Sequence, residues 1–387
     1  MKLHHVCAVI LGMMLLCSLS AAQVLVTDSG VDVSIAGPGA PAHVIGLERL
    51  SHTITLYTGA KKYGLRYIIA RDPEKPGVAI PGEGYIGMSD PTGANWYTGG
   101  FFDLQLNGKS IGTTPIHSLT GRSSGNRGTA DFVFDAPEAL VRIRFVALEQ
   151  GDCLFAQVLL EPKEEITSVR LRTRCYPSGF ISDSERHVMT PVRDFTQGEQ
   201  ADLDVANEWW TLYYDRVYDA GFAGPARKGV GPCSMLWLPE QTESVGFTVA
   251  GYGIDTGFAL KPDALEYRFI FFDHAGTKNA DAMEMLQAHG EALRQELADF
   301  VFVDPALTEW PLEEKRAEIE RVLATMPEEQ EMAANYQQWA LELEQHFQAV
   351  RSAPAGAIMA EAEAARIIAD WEAGLPELRL RDLLNRI

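Results

Sequence analysis

Between about residue 24 and about residue 275 the chain reads as one long succession of short strands. Representative segments are VLVTDSGVDVSI, HTITLYTG, YGLRYIIA, FFDLQLNGKSIG, TADFVFD, ALVRIRFVALE, CLFAQVLLE, EITSVRLRTRC, ESVGFTVAGYGI and EYRFIFFDH. Each is rich in β-branched and aromatic residues and is bounded by Gly, Pro, Asn or Asp. No strand–helix alternation runs through this region, which argues against a parallel α/β fold. Many segments alternate instead. Ala139, Val141, Ile143 and Phe145 fall on one face of an extended chain, and Leu140, Arg142, Arg144 and Val146 on the other. That pattern belongs to sheets with one face on a core. LNGK, at Leu106 to Lys109, is an Asn-Gly turn between apolar runs and predicts a tight hairpin. So many antiparallel strands must close on themselves or stack as two sheets to cover their edges. The expected fold is mainly β, an antiparallel β-sandwich or supersandwich.

From about Lys278 the period changes. KNADAMEMLQAHGEALRQELADF has helical spacing, and WPLEEKRAEIERVLATM opens with Pro and acidic residues in its first turn. Met332, Tyr336, Trp339, Leu343, Phe347 and Val350 then recur in steps of three and four, one apolar stripe on a polar helix. SAPAG interrupts it, and Ile358, Ala362, Ile367 and Trp371 resume the pattern. The expected organisation is a β-sandwich domain over residues 23–304 and a C-terminal α-helical bundle or hairpin over residues 305–387. The stripe has two readings, helix-on-helix core or a coiled coil that binds a protein partner.

The chain opens MKLHHVCAVILGMMLLCSLSAAQ. Lys2 precedes an apolar run from Val6 to Leu16, and Ser20 and Ala22 stand at the minus-three and minus-one positions of a cut before Gln23. This is the layout of a signal peptide over residues 1–22. The run is short for a span needing roughly 20 apolar residues. Leu16 stands where a lipobox needs something small before Cys17. The expected location is periplasmic or extracellular. The absence of an Asn-x-Ser/Thr sequon fits a bacterial source.

A formal net charge of −20 argues against nucleic acid or an anionic membrane as partner. Cys153, Cys175 and Cys233 are too sparse for a disulfide scaffold. One bridge with a free thiol and three buried thiols both remain open. No Cys-x-x-Cys or His-Glu-x-x-His is present, so no zinc site and no other cofactor is expected. DLDVANE, at Asp202 to Glu208, carries oxygens at alternating positions. It lacks the central glycine and twelfth-position glutamate of an EF-hand, and a structural calcium and a plain acidic loop stay open. GEGYIG, at Gly82 to Gly87, matches Gly-x-Gly-x-x-Gly but runs into the turn chemistry of Met88-Ser-Asp-Pro-Thr-Gly, so it reads as a glycine-rich loop. No Gly-x-Ser-x-Gly elbow occurs.

Three places carry candidate chemistry. In SGFISDSERHVMTPVRDF, Asp183, Glu185 and His187 crowd a polar loop and are the candidate catalytic acid and base, the alternative being a solvated charged loop. In SVRLRTRC, alternation puts Arg170, Arg172 and Arg174 on one face. They suit the carboxylates of a uronic-acid-type substrate, or cross-strand pairing with Asp and Glu. In NEWWTLYYDRVYDAG, Trp209, Tyr213 and Asp215 point one way, and Trp210, Tyr214 and Arg216 the other. Trp209, Tyr213, Asp215 and Arg216 are candidate saccharide contacts, against a core strand covered on both sides.

EYRFIFFDHAGTKNADAMEMLQAHG resembles the last strand of the large domains of the galactose-mutarotase-like β-supersandwich superfamily. Tyr267, Phe269, Phe271, His274 and Gly276 fit its Tyr/Phe-x-Phe-x-x-x-x-His-x-Gly outline, while Thr277 and Lys278 replace its usual tryptophan. The resemblance spans about residues 210–290 and adds His274 to the candidate saccharide contacts. It implies a concave sheet face that holds a saccharide, with or without chemistry. The expectation is an exported carbohydrate-binding or carbohydrate-processing protein whose ligand includes acidic saccharides. As an enzyme it would hydrolyse, eliminate or isomerise, with His187 or Asp183 as acid or base and Arg172 or Arg216 neutralising charge. The competing expectation is a non-catalytic interaction protein that works through its helices. The first requires Asp183, His187, Arg172 and the aromatic strand to share one cleft.

Overall fold

The computed structural model describes residues 23–38, 42–72, 74, 85–181, 183–221, 227–326, 329–352 and 356–385. The signal-peptide segment and Gly82 to Gly84 of the glycine-rich motif lie outside them. The fold is mainly β, two large antiparallel sheets stacked face to face, followed by helices. The front sheet runs, in spatial order, Leu25–Ile35, Glu48–Tyr57, Lys62–Arg71, Tyr85–Asp90, Phe102–Leu106, Val169–Cys175, Ile254–Leu260, Thr242–Val249 and Gln200–Asp202. The back sheet runs Asp194–Thr196, Arg186–Met189, Trp210–Asp215, Cys233–Trp237, Glu266–Asp273, Cys153–Pro162, Ala139–Leu148, Arg127–Asp135 and Ile116–Ser124. The hairpin is where expected. Asn107 (φ 50°) and Gly108 (φ 78°) are both left-handed, the geometry a two-residue turn between twisted strands requires.

The space between the sheets is filled mainly by aromatic and branched side chains. Phe271 meets Trp96 and Phe101 edge-on at 5.0 and 5.4 Å, and Trp96 meets Tyr213 at 5.9 Å. Such contacts add to the area buried because ring edges and faces carry opposite partial charge. The thiols of Cys153, Cys175 and Cys233 are free, and those of Cys175 and Cys233 lie side by side in this core.

The outer face of the back sheet is also covered. Helix α1 (Asn279–Asp299) packs over Trp210, Leu212, Leu236, Ile270 and Phe272. Gly290 permits the approach, since a Cβ there would meet Trp210 Nε1 at 3.1 Å and Trp209 Cη2 at 3.3 Å. After a short α2 (Pro305–Thr308), helices α3 (Leu312–Leu323), α4 (Gln330–Ser352) and α5 (Ile358–Asn385) build a bundle. Its core joins Ile319, Tyr336, Leu343, Phe347, Ile367 and Trp371, so the stripe on α4 is filled from within the chain. The start of α5 sits on the sheet, with Ile358 against Val133, Leu140 and Leu159.

The strand Ala139–Leu148 is therefore buried on both faces, arginines included. Arg142 and Arg144 have side chains 3% and 1% exposed. Asp131 on the neighbouring strand takes a two-pronged bond from Arg144, Nε to Oδ1 at 2.6 Å and Nη2 to Oδ2 at 2.8 Å. Glu361, in the first turn of α5, accepts from Arg144 Nη1 at 2.7 Å and from Arg142 Nη1. Burial alone would raise the Asp131 carboxyl, but the guanidinium groups of Arg144, Arg142 and Arg122 outweigh it and hold it at about 2. Removing one member of such a set leaves buried charge uncompensated. Replacement of Glu361 by alanine is expected to cost about 3–5 kcal/mol near neutral pH, read from urea unfolding against the parent chain.

Candidate functional site

The front sheet's outer face carries no helix among the described residues. Alternation along Val169–Cys175 sends Val169, Leu171 and Cys175 into the core and Arg170, Arg172 and Arg174 outward. The register sets Arg172 between Asp103 and Gly257, and Arg170 between Gln105 and Ala259. One strand further, Gly246 faces Gly257 and Ser244 faces Ala259. These small residues lower the floor, and a basin of about 740 Å³ opens between the arginines and Asp202 on the far strand. A Cβ on Gly246 would meet Asp202 Oδ1 at 2.8 Å, so glycine lets that carboxylate lie over the floor.

The arginines differ in what holds them. Arg174 makes a two-pronged pair with Asp255, Nε to Oδ1 at 2.7 Å and Nη2 to Oδ2 at 2.9 Å. Arg172 is half exposed and bonds Asp103 at 3.2 Å. Cross-strand pairing thus accounts for two of the three. The Arg170 side chain is exposed and has no ion pair among the described residues.

Past Arg174, where the strand ends, the chain enters an aromatic cluster outside the basin's own lining. Tyr176 meets Tyr97 at 5.0 Å, Phe180 at 4.9 Å and Tyr252 at 5.2 Å. Phe180 and Tyr252 lie nearly parallel, 29° apart, and are 47% and 55% exposed. Rings so exposed and mutually fixed offer flat apolar surface at little entropic cost. The sequence reading missed these four residues. They come from three separate loops, and only Tyr97, in NWYTGGFF, stands in an aromatic-rich stretch.

The expected single cleft is corrected by the structure. His187 belongs to the back sheet and points away from the core, opposite to the direction of Arg172 and Arg174. It stacks on Tyr214 at 4.9 Å, with Glu185 3.4 Å and Asp194 3.3 Å from its two ring nitrogens. Tyr214 donates to Asp194 at 2.8 Å, and Arg216, exposed, reaches Glu185 at 3.4 Å. Asp183 accepts from Tyr218 at 2.6 Å. Histidine between two carboxylates is acid–base equipment, but the full thickness of the sandwich separates it from the arginine basin.

The aromatic strand joins neither group as a ligand platform. Tyr213 is wholly buried between the sheets and bonds Thr256 Oγ1 at 2.8 Å. Asp215 is buried and accepts from the backbone N–H groups of Val217 and Tyr218, fixing a turn. Trp209, half buried, packs beneath α1 with Arg294 5.1 Å from its ring. His274 is buried at one end of the sandwich, 2.8 Å from Ser234 Oγ and stacked on Phe272. Burial on both sides wins here because α1 supplies a lid that the strand's own sequence cannot show. In the acidic loop, Glu208 is buried and takes bonds from Thr190 Oγ1 at 2.6 Å, from Asp204 N at 2.8 Å and from Arg193. Its oxygens face these partners, and among the described residues no three acidic, imidazole or thiol groups are arranged to hold a metal ion.

No family model matches the chain, and no curated protein does. Solved structures do. One is an enzyme–oligosaccharide complex of chondroitinase AC lyase, with a TM-score of 0.36 at 8% identity over 61% of this chain and 38% of that one. An α-mannosidase from Enterococcus faecalis V583 gives 0.37 at 8% identity over 73% and 41%. A GH36 α-galactosidase from Geobacillus stearothermophilus gives 0.28 at 10% identity over 63% and 41%. The chain spans about two fifths of the length of each.

Asp273 and His274 make a test of their own. Burial pushes the Asp273 carboxyl up to about 6, against bonds from Asn95 and Thr92 and the charge of Lys61. Burial, with Lys61 nearby, pushes the His274 imidazole down to about 3. The two slopes oppose. Between about 6.5 and 3 the unfolded chain binds a proton at His274 that the folded chain refuses, so acid destabilises. Between about 6 and 4 the folded chain holds a proton on Asp273 that the unfolded chain releases, so acid stabilises. As pH falls from 6.5 to 4, the Tm of His274→Gln is expected to gain on the parent, and that of Asp273→Asn to lose on it. Parallel Tm curves for all three would refute the assignment.

Proposed function

We propose that the protein is exported and binds an acidic oligosaccharide along the outer face of the front sheet. One observation carries this reading: on a chain of net charge −20, an Arg170 with no ion pair among the described residues and a loosely paired Arg172 stand over a small-residue floor. Their fork geometry suits carboxylates, and sulfate esters share that chemistry. A sugar ring would lie on Phe180 and Tyr252, with Arg174 and Asp255 between ring and acid. The galactose-mutarotase-like resemblance agrees in placing a saccharide on a sheet face. Export rests on the three-part pattern of the first 22 residues.

A second reading, a scaffold whose helices hold a protein partner, draws on Leu380, Leu383 and Leu384 near the end of α5. They are 56%, 57% and 60% exposed. Serine at these three positions is expected to leave the basin's affinity unchanged, which separates the two readings.

Uronic-acid and sulfated oligosaccharides are expected to raise the Tm of the full chain in a thermal-shift screen, and neutral ones of equal length much less. Calorimetry with the best of them should show Arg170→Ala/Arg172→Ala weakening binding about tenfold or more. Phe180→Ala should weaken it about fivefold. His187→Ala, on the opposite side, should change nothing. The reading fails if no acidic saccharide binds, or if the arginine variant binds as the parent does.

A further inference from the structure

The arginines beneath α5 border a second cavity. It holds about 330 Å³ between the outer face of the back sheet and the start of α5, with Arg122, Arg142, Arg144, Asp131, Ser118 and Thr120 on its wall. Its charges do not balance. Three guanidinium groups (Arg122, Arg142, Arg144) meet two carboxylates, Asp131 and Glu361. Arg366 on the helix side is already paired with Glu363 and Asp370. Glu266, the next acid on this face, is paired with Arg268.

The excess has an address. Arg144 uses Nε, Nη1 and Nη2 on Asp131, Glu361 and the Phe302 carbonyl. Arg142, 3% exposed, bonds Glu361 and Gln157 but leaves its buried Nε with no partner among the described residues. Arg122, 29% exposed at the mouth, stands 3.6 Å from Asp131 and 3.9 Å from Glu361, outside hydrogen-bond reach of both. An unsatisfied donor of a buried charged group is costly, and a cation without its counter-charge more so.

We propose that this cavity is a binding site for a small oxyanion, of the size of sulfate, phosphate or a short carboxylic acid, held by the Arg122 guanidinium and the hydroxyls of Ser118 and Thr120 and facing the charge of Arg142. The anion supplies the missing negative charge and ties α5 to the sheet. The site is separate from the front-sheet basin and independent of whether that basin binds saccharide. The ligand enters past Arg122, the one arginine of the three free to turn toward solvent.

The test titrates sodium sulfate and sodium phosphate into the full chain at ionic strength held constant with sodium chloride. A saturable rise in Tm and measurable heats of binding are expected. In Arg122→Gln the charges balance. That variant should have a Tm at or above the parent's without oxyanion and lose about tenfold or more in affinity. Glu361→Gln, which widens the excess, should bind more tightly than the parent. Selenate soaked into crystals should give an anomalous peak between Arg122 and Arg142, a readout that needs no variant to fold. A linear, unsaturable rise equal in parent and Arg122→Gln would mean only the general stabilisation that excluded salts give any protein. That result, or an anomalous peak elsewhere, overturns the proposal.

Discussion

The pairing of Arg142 and Arg144 with Asp131 and Glu361 decides how the two parts of this chain meet. Two arginines in the middle of a central strand cannot stay in an apolar layer alone. The cost of removing such ions from water is several kcal/mol each even after relaxation. Asp131 reaches Arg144 through strand register, but Arg142 has no carboxylate on its own sheet within bonding distance. The missing partner comes more than two hundred residues later, from the first turn of α5. A buried ion set adds little net stability compared with an apolar core. What it does impose is a single seating, because any shift of α5 along the sheet would strand two guanidinium groups.

That seating divides the labour of the two sheets. Helices α1 and α5 cover the back sheet, so its outward aromatic residues, Trp210 and Tyr214 among them, serve packing. The front sheet is left with an open face and a polar one: three arginines, three aspartates and a floor of Gly and Ala. On that open face Arg170 and Arg172 are exposed and positioned without being fully satisfied.

How far this was legible in the sequence follows from what alternation can carry. It placed Arg170, Arg172 and Arg174 on one face, and Val169 and Leu171 on the other, because strand geometry fixes that locally. It placed Tyr213 and Tyr214 on opposite faces too. It could not say that Tyr214 lies under a helix while Arg172 lies under nothing, since the cover is contributed from elsewhere in the chain. The same blindness joined Asp183 and His187 to the arginines in one imagined cleft. They are close in sequence, a mere dozen residues or so, but the chain crosses from one sheet to the other between Cys175 and Arg186. The aromatic cluster of Tyr97, Tyr176, Phe180 and Tyr252 was hidden for the complementary reason. Tyr97, the Tyr176–Phe180 pair and Tyr252 are distant in sequence and meet only because three loops end at the same corner.

The arginines of the front strand differ in how readily each could take up a ligand's acid group. Arg172 and Asp103 form an ion pair that is half open to water, and such pairs contribute about 0–1 kcal/mol. A ligand carboxylate can take Asp103's place with little loss, and at Arg170 it displaces nothing but water. Arg174 is different, since its fork is closed on Asp255 and would have to give up two good bonds. It is better suited to hold the wall between basin and aromatic rings than to receive an acid. Moving from Arg170 to Arg174 along one strand, the chain therefore passes from a cation with no ion pair among the described residues, through an exchangeable pair, to a fixed one. An acidic sugar chain lying along that strand would find its charge contacts at the Arg170 end and its stacking surface at the other.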